Sequence, residues 1–194
     1  MPGATILPRV GEAATVTHTE RFVDRSARLG VSVTHTMPGD IASAVARIAA
    51  AVSARRAVVS ADVGPERGCI VAALEASGVA ILDGTRAAEV ESMDLGVTGA
   101  AFAVAESGSI AVVGRDRLAR FATMLPPVHI AILRESDIVP TLDEAGERLE
   151  SALRNGARIA SLVAGPSRTA DVEKTLAVGV HGPREVHIIL VGED

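Results

Sequence analysis

The chain has 194 residues, enough for one domain with a full hydrophobic core and too few for two domains of ordinary size. Hydrophobic residues make up 48% and charged residues 22%, a balance that excludes an intrinsically disordered chain. The net charge is −5, and the only aromatic residues are three Phe, so we expect no binding to nucleic acid. A local cluster of Arg115, Arg117 and Arg120 suits a small anion better than a duplex.

The cysteine and histidine content limits the cofactors that the chain can hold. Cys69 is the only cysteine, so the chain alone cannot supply the four thiolates of an iron–sulfur cluster. The five histidines lack ligand spacing, and we predict no metal site. No apolar run approaches the length of a membrane span, and the first residues do not resemble a signal peptide. We therefore expect a cytoplasmic protein with no cofactor of its own.

Short β-branched runs alternate with Ala-, Arg- and Glu-rich segments of helical length, which is typical of βαβ units. In chain order, the first half predicts a helix over 19–29, a strand over 31–36, a helix over 40–53, a strand over 57–60, a helix over 69–76 and a strand over 79–82. The second half predicts strands over 102–105, 110–113 and 128–133, a helix over 142–154, and strands over 160–164 and 186–191.

The segment between residues 102 and 113 predicts an antiparallel hairpin, because Glu106-Ser107-Gly108-Ser109 forms a tight turn between two apolar runs. A hairpin within βαβ units predicts a three-layer α/β/α sandwich with a mixed, mostly parallel sheet. We expect residues 1–16 to be a flexible N-terminal segment and residues 17–194 to be a single α/β domain.

Known phosphate-loop, dinucleotide, zincin and hydrolase motifs are absent: the chain has no GxxxxGK[ST], GxGxxG, HExxH or GxSxG. The segment AGPSRTADVEKTLAVGVHGP, residues 164–183, is instead the richest in polar groups. Its polar residues lie between two Gly-Pro turns, directly after an apolar run, and this order predicts a strand, a polar turn and the start of a helix. Because ligands gather at the carboxyl ends of strands in open α/β sheets, we predict a binding site here.

Five polar residues are candidates for this site. The hydroxyls of Ser167 and Thr169 and the first N–H groups of the predicted helix suit a carboxylate or a phosphate, and Asp171 belongs to the same anion-binding turn. The alternative for these residues is a simple helix cap. His181 is a candidate acid, base or anion donor, or else pins its turn by a hydrogen bond. Thr98 either adds a hydroxyl to the pocket or ends a strand.

Four blocks of the sequence resemble the lactate-utilization C proteins, also called LUD-domain proteins. The blocks are DLGVTGAAFAVAESGSIAVV (94–113), LPPVHIAIL (125–133), IVPTLDEA (138–145) and AGPSRTADVEKTLAVGVHGP (164–183). The resemblance implies a fold similar to ribose-5-phosphate isomerases and CoA transferases. It also implies a role in the oxidation of L-lactate to pyruvate, as the clusterless subunit that binds iron–sulfur partner proteins and a small organic anion.

The resemblance also raises a catalytic alternative at Glu106. Related CoA transferases use a glutamate at a similar strand turn as the nucleophile toward a thioester, so Glu106 and His181 are the catalytic candidates. The structural alternative is that Glu106 orders the hairpin. Two functions stay open: a component of an L-lactate dehydrogenase complex, or an autonomous enzyme acting on a phosphorylated or CoA-linked small substrate through Glu106. A CoA-sized channel beside Glu106, Ser167 and His181 would favour the enzyme, and a shallow anion site would favour the subunit.

Overall fold

Six parallel strands form the main sheet in the computed structural model, which describes residues 16–83, 87–114, 117–170, 176–178 and 182–193. In chain order the strands of the protein are β1 (Ser32–Thr36), β2 (Arg56–Val59), β3 (Ala80–Ile81), β4 (Leu95–Gly99), β5 (Phe102–Val104), β6 (Ser109–Gly114), β7 (Val128–Arg134), β8 (Ile138–Val139), β9 (Ile159–Val163), β10 (Arg168–Ala170), β11 (Leu176–Val178) and β12 (Glu185–Val191). The main sheet has the order β1-β12-β7-β4-β2-β3. A second sheet has the order β8-β5-β6-β9, and β10 pairs with β11.

The described helices cover both sheets. They are α1 (His18–Arg28), α2 (Ile41–Ala51), α3 (Arg67–Ala76), α4 (Ala87–Glu91), α5 (Arg117–Met124) and α6 (Leu142–Arg154). On one face of the main sheet, α2 and α3 bury Ile41 and Ile70 against the strands. On the other face, Phe22 of α1 and Ile110 of β6 share a second core. Helix α6 covers the far side of the second sheet through Ala145. The predicted α/β class is confirmed.

Local sequence explains where two of these helices begin. Thr17 and Glu20 form a reciprocal capping box at α1, in which each side chain accepts a hydrogen bond from the other residue's backbone N–H. Thr141 precedes α6 and accepts a hydrogen bond from the Glu144 N–H at 3.3 Å. These caps satisfy N–H groups that the first turn of a helix leaves without partners.

The antiparallel hairpin lies in the second sheet, and the main sheet is wholly parallel rather than mixed. Strand β5 pairs antiparallel with β6, and β6 pairs antiparallel with β9. Gly108 in the connecting turn has a φ of 71° and lies so close to α1 that an added Cβ would be 2.6 Å from the Ser26 nitrogen. The Ser26 hydroxyl donates a hydrogen bond to the Gly108 carbonyl at 3.0 Å. The turn is therefore fastened to α1.

The expectation that a helix begins at Ser167–Thr169 is wrong. Arg168–Ala170 is the strand β10, and it pairs antiparallel with Leu176–Val178, so this polar segment is a hairpin. Cross-strand pairing of Arg168–Ala170 with Leu176–Val178 excludes a helix that begins at these residues. The predicted flexible segment, residues 1–16, falls almost wholly outside the described residues, as do Asp171 and His181.

Candidate functional site

The connections of the main sheet reverse direction between β2 and β4, which are neighbours in the sheet. After β2 the chain continues through α3 to the edge strand β3, whereas after β4 it continues through the second sheet to β7 on the other side. The carboxyl ends of β2 and β4 thus form a topological switch point. In open α/β sheets this is the position where ligands bind.

The loop after β2 is held tightly against the end of β4. The Asp62 carboxylate accepts a hydrogen bond from the Gly99 N–H at 3.2 Å, and Ser60 is buried. A Cβ on Gly99 would lie 2.2 Å from the carbonyl oxygen of Asp62, so only glycine permits this approach. The Arg67 guanidinium donates to the carbonyl of Val59 at 3.1 Å and anchors the start of α3. These contacts hold the loop in one conformation.

A pocket of about 460 Å³ opens beside this loop, and we call it the switch-point pocket. Its described lining comes from the loop after β2, the end of β6, α5 and the carboxyl end of α6: Ser60, Ala61, Asp62, Val113, Gly114, Ala119, Ala152, Asn155 and Ala157. Within this lining the polar side chains are a hydroxyl, a carboxylate and an amide, with no cation. The switch-point pocket therefore favours a ligand with hydrogen-bonding groups over a bare anion.

Thr98 lies next to the switch point but inside the core. Its hydroxyl is 2.9 Å from Nε2 of His129 on the neighbouring strand β7, and both side chains are fully buried. Nδ1 of His129 is buried and has no hydrogen-bond partner among the described residues. Thr98 is the penultimate residue of β4 and forms a buried polar pair, and it is not among the described lining residues of the switch-point pocket.

Burial controls the charge of His129. Removal from water disfavours the imidazolium, and the nearby His187 adds to this effect, so the pKa of His129 falls from 6.5 to about 4. His129 pairs in register with Val186, and His187 pairs with Ile130, so the two rings lie on opposite faces of the sheet. His129 is neutral at physiological pH.

Glu106 is exposed and serves the start of α6. Its carboxylate accepts a hydrogen bond from the backbone N–H of Leu142, the first residue of that helix, at 3.0 Å. The strand β6 separates the Glu106 turn from Gly114 at the switch-point pocket, a length of about 17 Å for six residues in a strand. The structure therefore does not bring Glu106 into that pocket.

Ser167 lies at the amino edge of the main sheet, not at its carboxyl edge. Its N–H donates to the Pro183 carbonyl at 2.9 Å, and the Arg184 N–H donates to the Pro127 carbonyl at 2.8 Å, directly before β12 and β7. The preceding Gly165 packs against Leu29 at the end of α1. The turns that carry Glu106 and Ser167 therefore both lie against α1, although no described hydrogen bond joins them.

Thr169 is in β10, in a segment whose side chains lie outside the description. Asp171 and His181 also fall outside the described residues. The anion-binding roles of Thr98, Ser167, Thr169 and Asp171, and the catalytic roles of Glu106 and His181, stay predictions.

A family model described as the LUD domain matches residues 19–191. The chain belongs to the LUD-domain family. The lactate utilization protein C of Deinococcus radiodurans is 33% identical over 176 residues, which are 89% of this chain and 78% of that protein. The protein of the same name from Bacillus subtilis is 34% identical over 108 residues, which are 54% of this chain and 45% of the Bacillus protein.

The fold of this LUD-domain protein is also that of a solved relative. The crystal structure of a DUF162 family protein from Deinococcus radiodurans has a TM-score of 0.63 and 26% sequence identity, and the match covers 90% of this chain and 96% of that chain. The resemblance stated from the four sequence blocks is therefore confirmed.

Two features of this LUD-domain protein escaped the sequence prediction. The burial of His129 was not predicted, because it is one of five scattered histidines in the sequence. Its place in the apolar run Val128-His129-Ile130 is the signal that indicates a core residue. The switch-point residues Ser60 and Asp62 carried no motif, and only the strand order brings them beside β4. The signal for the first was local, whereas the signal for the second was topological.

The described residues offer no site for a metal ion or an iron–sulfur cluster in the LUD domain. Across these residues no three side chains of His, Cys, Asp or Glu converge as a ligand set, and the single Cys69 is exposed. Among the helices of the same ranges, none is long and apolar enough to cross a membrane.

Proposed function

We propose that this LUD-domain protein acts in lactate utilization as the clusterless subunit of an L-lactate-oxidizing assembly. It binds iron–sulfur partner proteins and a small organic anion. The similarity to a lactate utilization protein C over 89% of the chain supports this role. Oxidation of lactate to pyruvate releases two electrons, and in this proposal the clusters of the partners accept them, because one cysteine cannot hold such a cluster.

The contacts of the Glu106 carboxylate favour one of the two candidate functions, a subunit of an assembly or an autonomous transferase. Its carboxylate caps the first N–H of α6, and Gly108 in the same turn is fastened to α1. A nucleophile toward a thioester must instead face a pocket that holds the acyl group. We therefore assign Glu106 the structural role of joining the hairpin to α6, and the subunit is the favoured function.

Growth on lactate tests this proposal. We expect deletion of the gene to abolish growth of the native host on L-lactate while growth on glucose continues. The wild-type gene and a Glu106→Gln gene should both restore growth, since glutamine keeps an oxygen acceptor for the α6 N–H. Normal growth of the deletion strain on lactate, in a host without a second copy of the gene, would contradict the proposed function.

The transferase alternative has its own chemical test. An acyl-CoA should give a hydroxylamine-sensitive adduct if Glu106 is a nucleophile, because the intermediate is an anhydride. We expect no adduct across a panel of short-chain thioesters. An adduct that is present in the wild type and missing in Glu106→Gln would establish the enzyme in place of the subunit.

A further inference from the structure

A second pocket, of about 360 Å³, lies between α5 and the strands β6 and β9, and we call it the arginine pocket. Arg120 and Thr123 line it from α5, Arg158 lines it from the position directly before β9, and Ser161 lines it from β9 itself. Val112 of β6 contributes an apolar surface. None of these residues lines the switch-point pocket.

The strand register explains why this pocket exists. Ile110 pairs with Val163, and both pack in the core between the two sheets. Val112 and Ser161, the next pair on the same face, also point toward that side. Helix α5, rather than the main sheet, stands opposite them, and Ser161 is exposed. The inner face of the second sheet is therefore left open at its edge strand.

Among the described residues, the charged side chains that line the arginine pocket are all cationic. Arg120 and Arg158 are both exposed, and no carboxylate among the described residues forms an ion pair with either guanidinium. The described lining contains no acidic side chain. The backbone positions are fixed, because the Arg158 N–H donates to the Gly114 carbonyl at 2.9 Å and the Thr123 hydroxyl donates to the Arg120 carbonyl at 2.8 Å. Two cations thus face one cavity from anchored elements.

We propose that the arginine pocket binds a small organic oxyanion, a carboxylate or a phosphate ester, through Arg120 and Arg158. A guanidinium matches the two oxygens of such a group and donates two parallel hydrogen bonds. The Ser161 hydroxyl is a further donor, and the apolar surface around Val112 contacts the carbon body of the ligand. In this inference, the arginine pocket is the binding site for the organic anion of the proposed function. The inference rests on the proposed function only for the choice of L-lactate and pyruvate as probes.

Titration of the full chain with four probes tests the site. We would add L-lactate, pyruvate, glycerol 3-phosphate and inorganic phosphate, and follow binding by protein NMR shifts. Arg120→Gln and Arg158→Gln each remove a charge-assisted hydrogen bond. We expect each variant to bind the organic probe that the wild type binds most tightly about tenfold or more weakly. The matched control is Arg47→Gln on α2, which removes one exposed charge from the opposite side of the main sheet and should bind like the wild type. All variants should melt within about 2 °C of the wild type.

The relative strength of the probes identifies the ligand. Tighter binding of lactate or pyruvate supports a carboxylate, and tighter binding of glycerol 3-phosphate supports a phosphate ester. Inorganic phosphate that binds as tightly as the organic probes would overturn the proposal, as would binding that neither arginine variant weakens or no saturable binding by any probe. Such a failure would leave the growth phenotype of the deletion strain intact, so it is distinguishable from a failure of the proposed function.

Discussion

Burial of His129 predicts that acid weakens the fold before most carboxylates titrate. The imidazole is fully buried, accepts or donates one hydrogen bond with Thr98 and has no partner for Nδ1 among the described residues. Its pKa in the folded protein is about 4, compared with 6.5 for an exposed histidine. Between these two values, the unfolded chain binds a proton that the folded protein does not bind. Stability therefore falls as the pH falls through this window.

The size of this effect follows from the two pKa values of His129. The full difference between 6.5 and about 4 corresponds to about 3 kcal/mol. At pH 5 the unfolded chain is mostly protonated at this residue and the folded protein is mostly neutral, which gives a loss of about 2 kcal/mol relative to high pH. A domain whose total stability is about 5 to 15 kcal/mol would lose a measurable part of it.

Urea unfolding at pH 7.5 and pH 5.0 measures the loss, with the double variant Thr98→Val, His129→Leu as the control. The control removes both polar partners and the titrating group at similar volume, so it leaves no hydroxyl without a partner. We expect the wild type to lose about 2 kcal/mol more than the double variant between the two pH values. An equal loss in the two proteins would refute the reasoning that His129 is buried and neutral.

Substitutions at three other positions test close contacts by urea and thermal unfolding. Gly96→Ala should destabilise by about 2 kcal/mol or more, because the new Cβ would lie 2.0 Å from the Ala122 carbonyl oxygen of α5. Gly108→Ala should cost about 2 kcal/mol, from its φ of 71° and from the 2.6 Å approach to the Ser26 nitrogen. A melting temperature equal to that of the wild type, in either glycine variant, would contradict these close contacts. Glu106→Ala should cost about 1 kcal/mol through loss of the α6 cap, whereas Glu106→Gln should cost less; equal losses would argue against the cap.

Segments with a strong local period could be predicted from the sequence. The helix over Leu142–Arg154 was predicted with the bounds that the structure has, because the segment has an amphipathic pattern. The hairpin of β5 and β6 was also predicted, since its turn residues are local. Its membership of a separate second sheet could not be predicted, because pairing with β8 and β9 joins residues far apart in the chain.

The site was harder to predict than the fold, for the same reason. The polar residues around Ser167 are compatible with either the start of a helix or a hairpin. In the structure, Ala170 pairs with Leu176, which makes the segment a hairpin. Arg120 belonged to a predicted anion-binding cluster, but Arg158, directly before β9, completes a pocket with it, and no local pattern joins the two. Hydroxyls and charges show which chemistry is available, whereas only the tertiary contacts show which groups meet.

Affinity purification of the tagged chain from its native host, grown on L-lactate, tests the central claim most directly. The measurement is lactate-dependent reduction of a dye by the purified material, together with its iron and acid-labile sulfide content. We predict that cysteine-rich proteins, iron and the activity all come with the chain, and that they are missing when an untagged strain is processed in the same way. A chain that purifies alone and free of iron, while the lactate-oxidizing activity stays in the unbound fraction, would contradict the account.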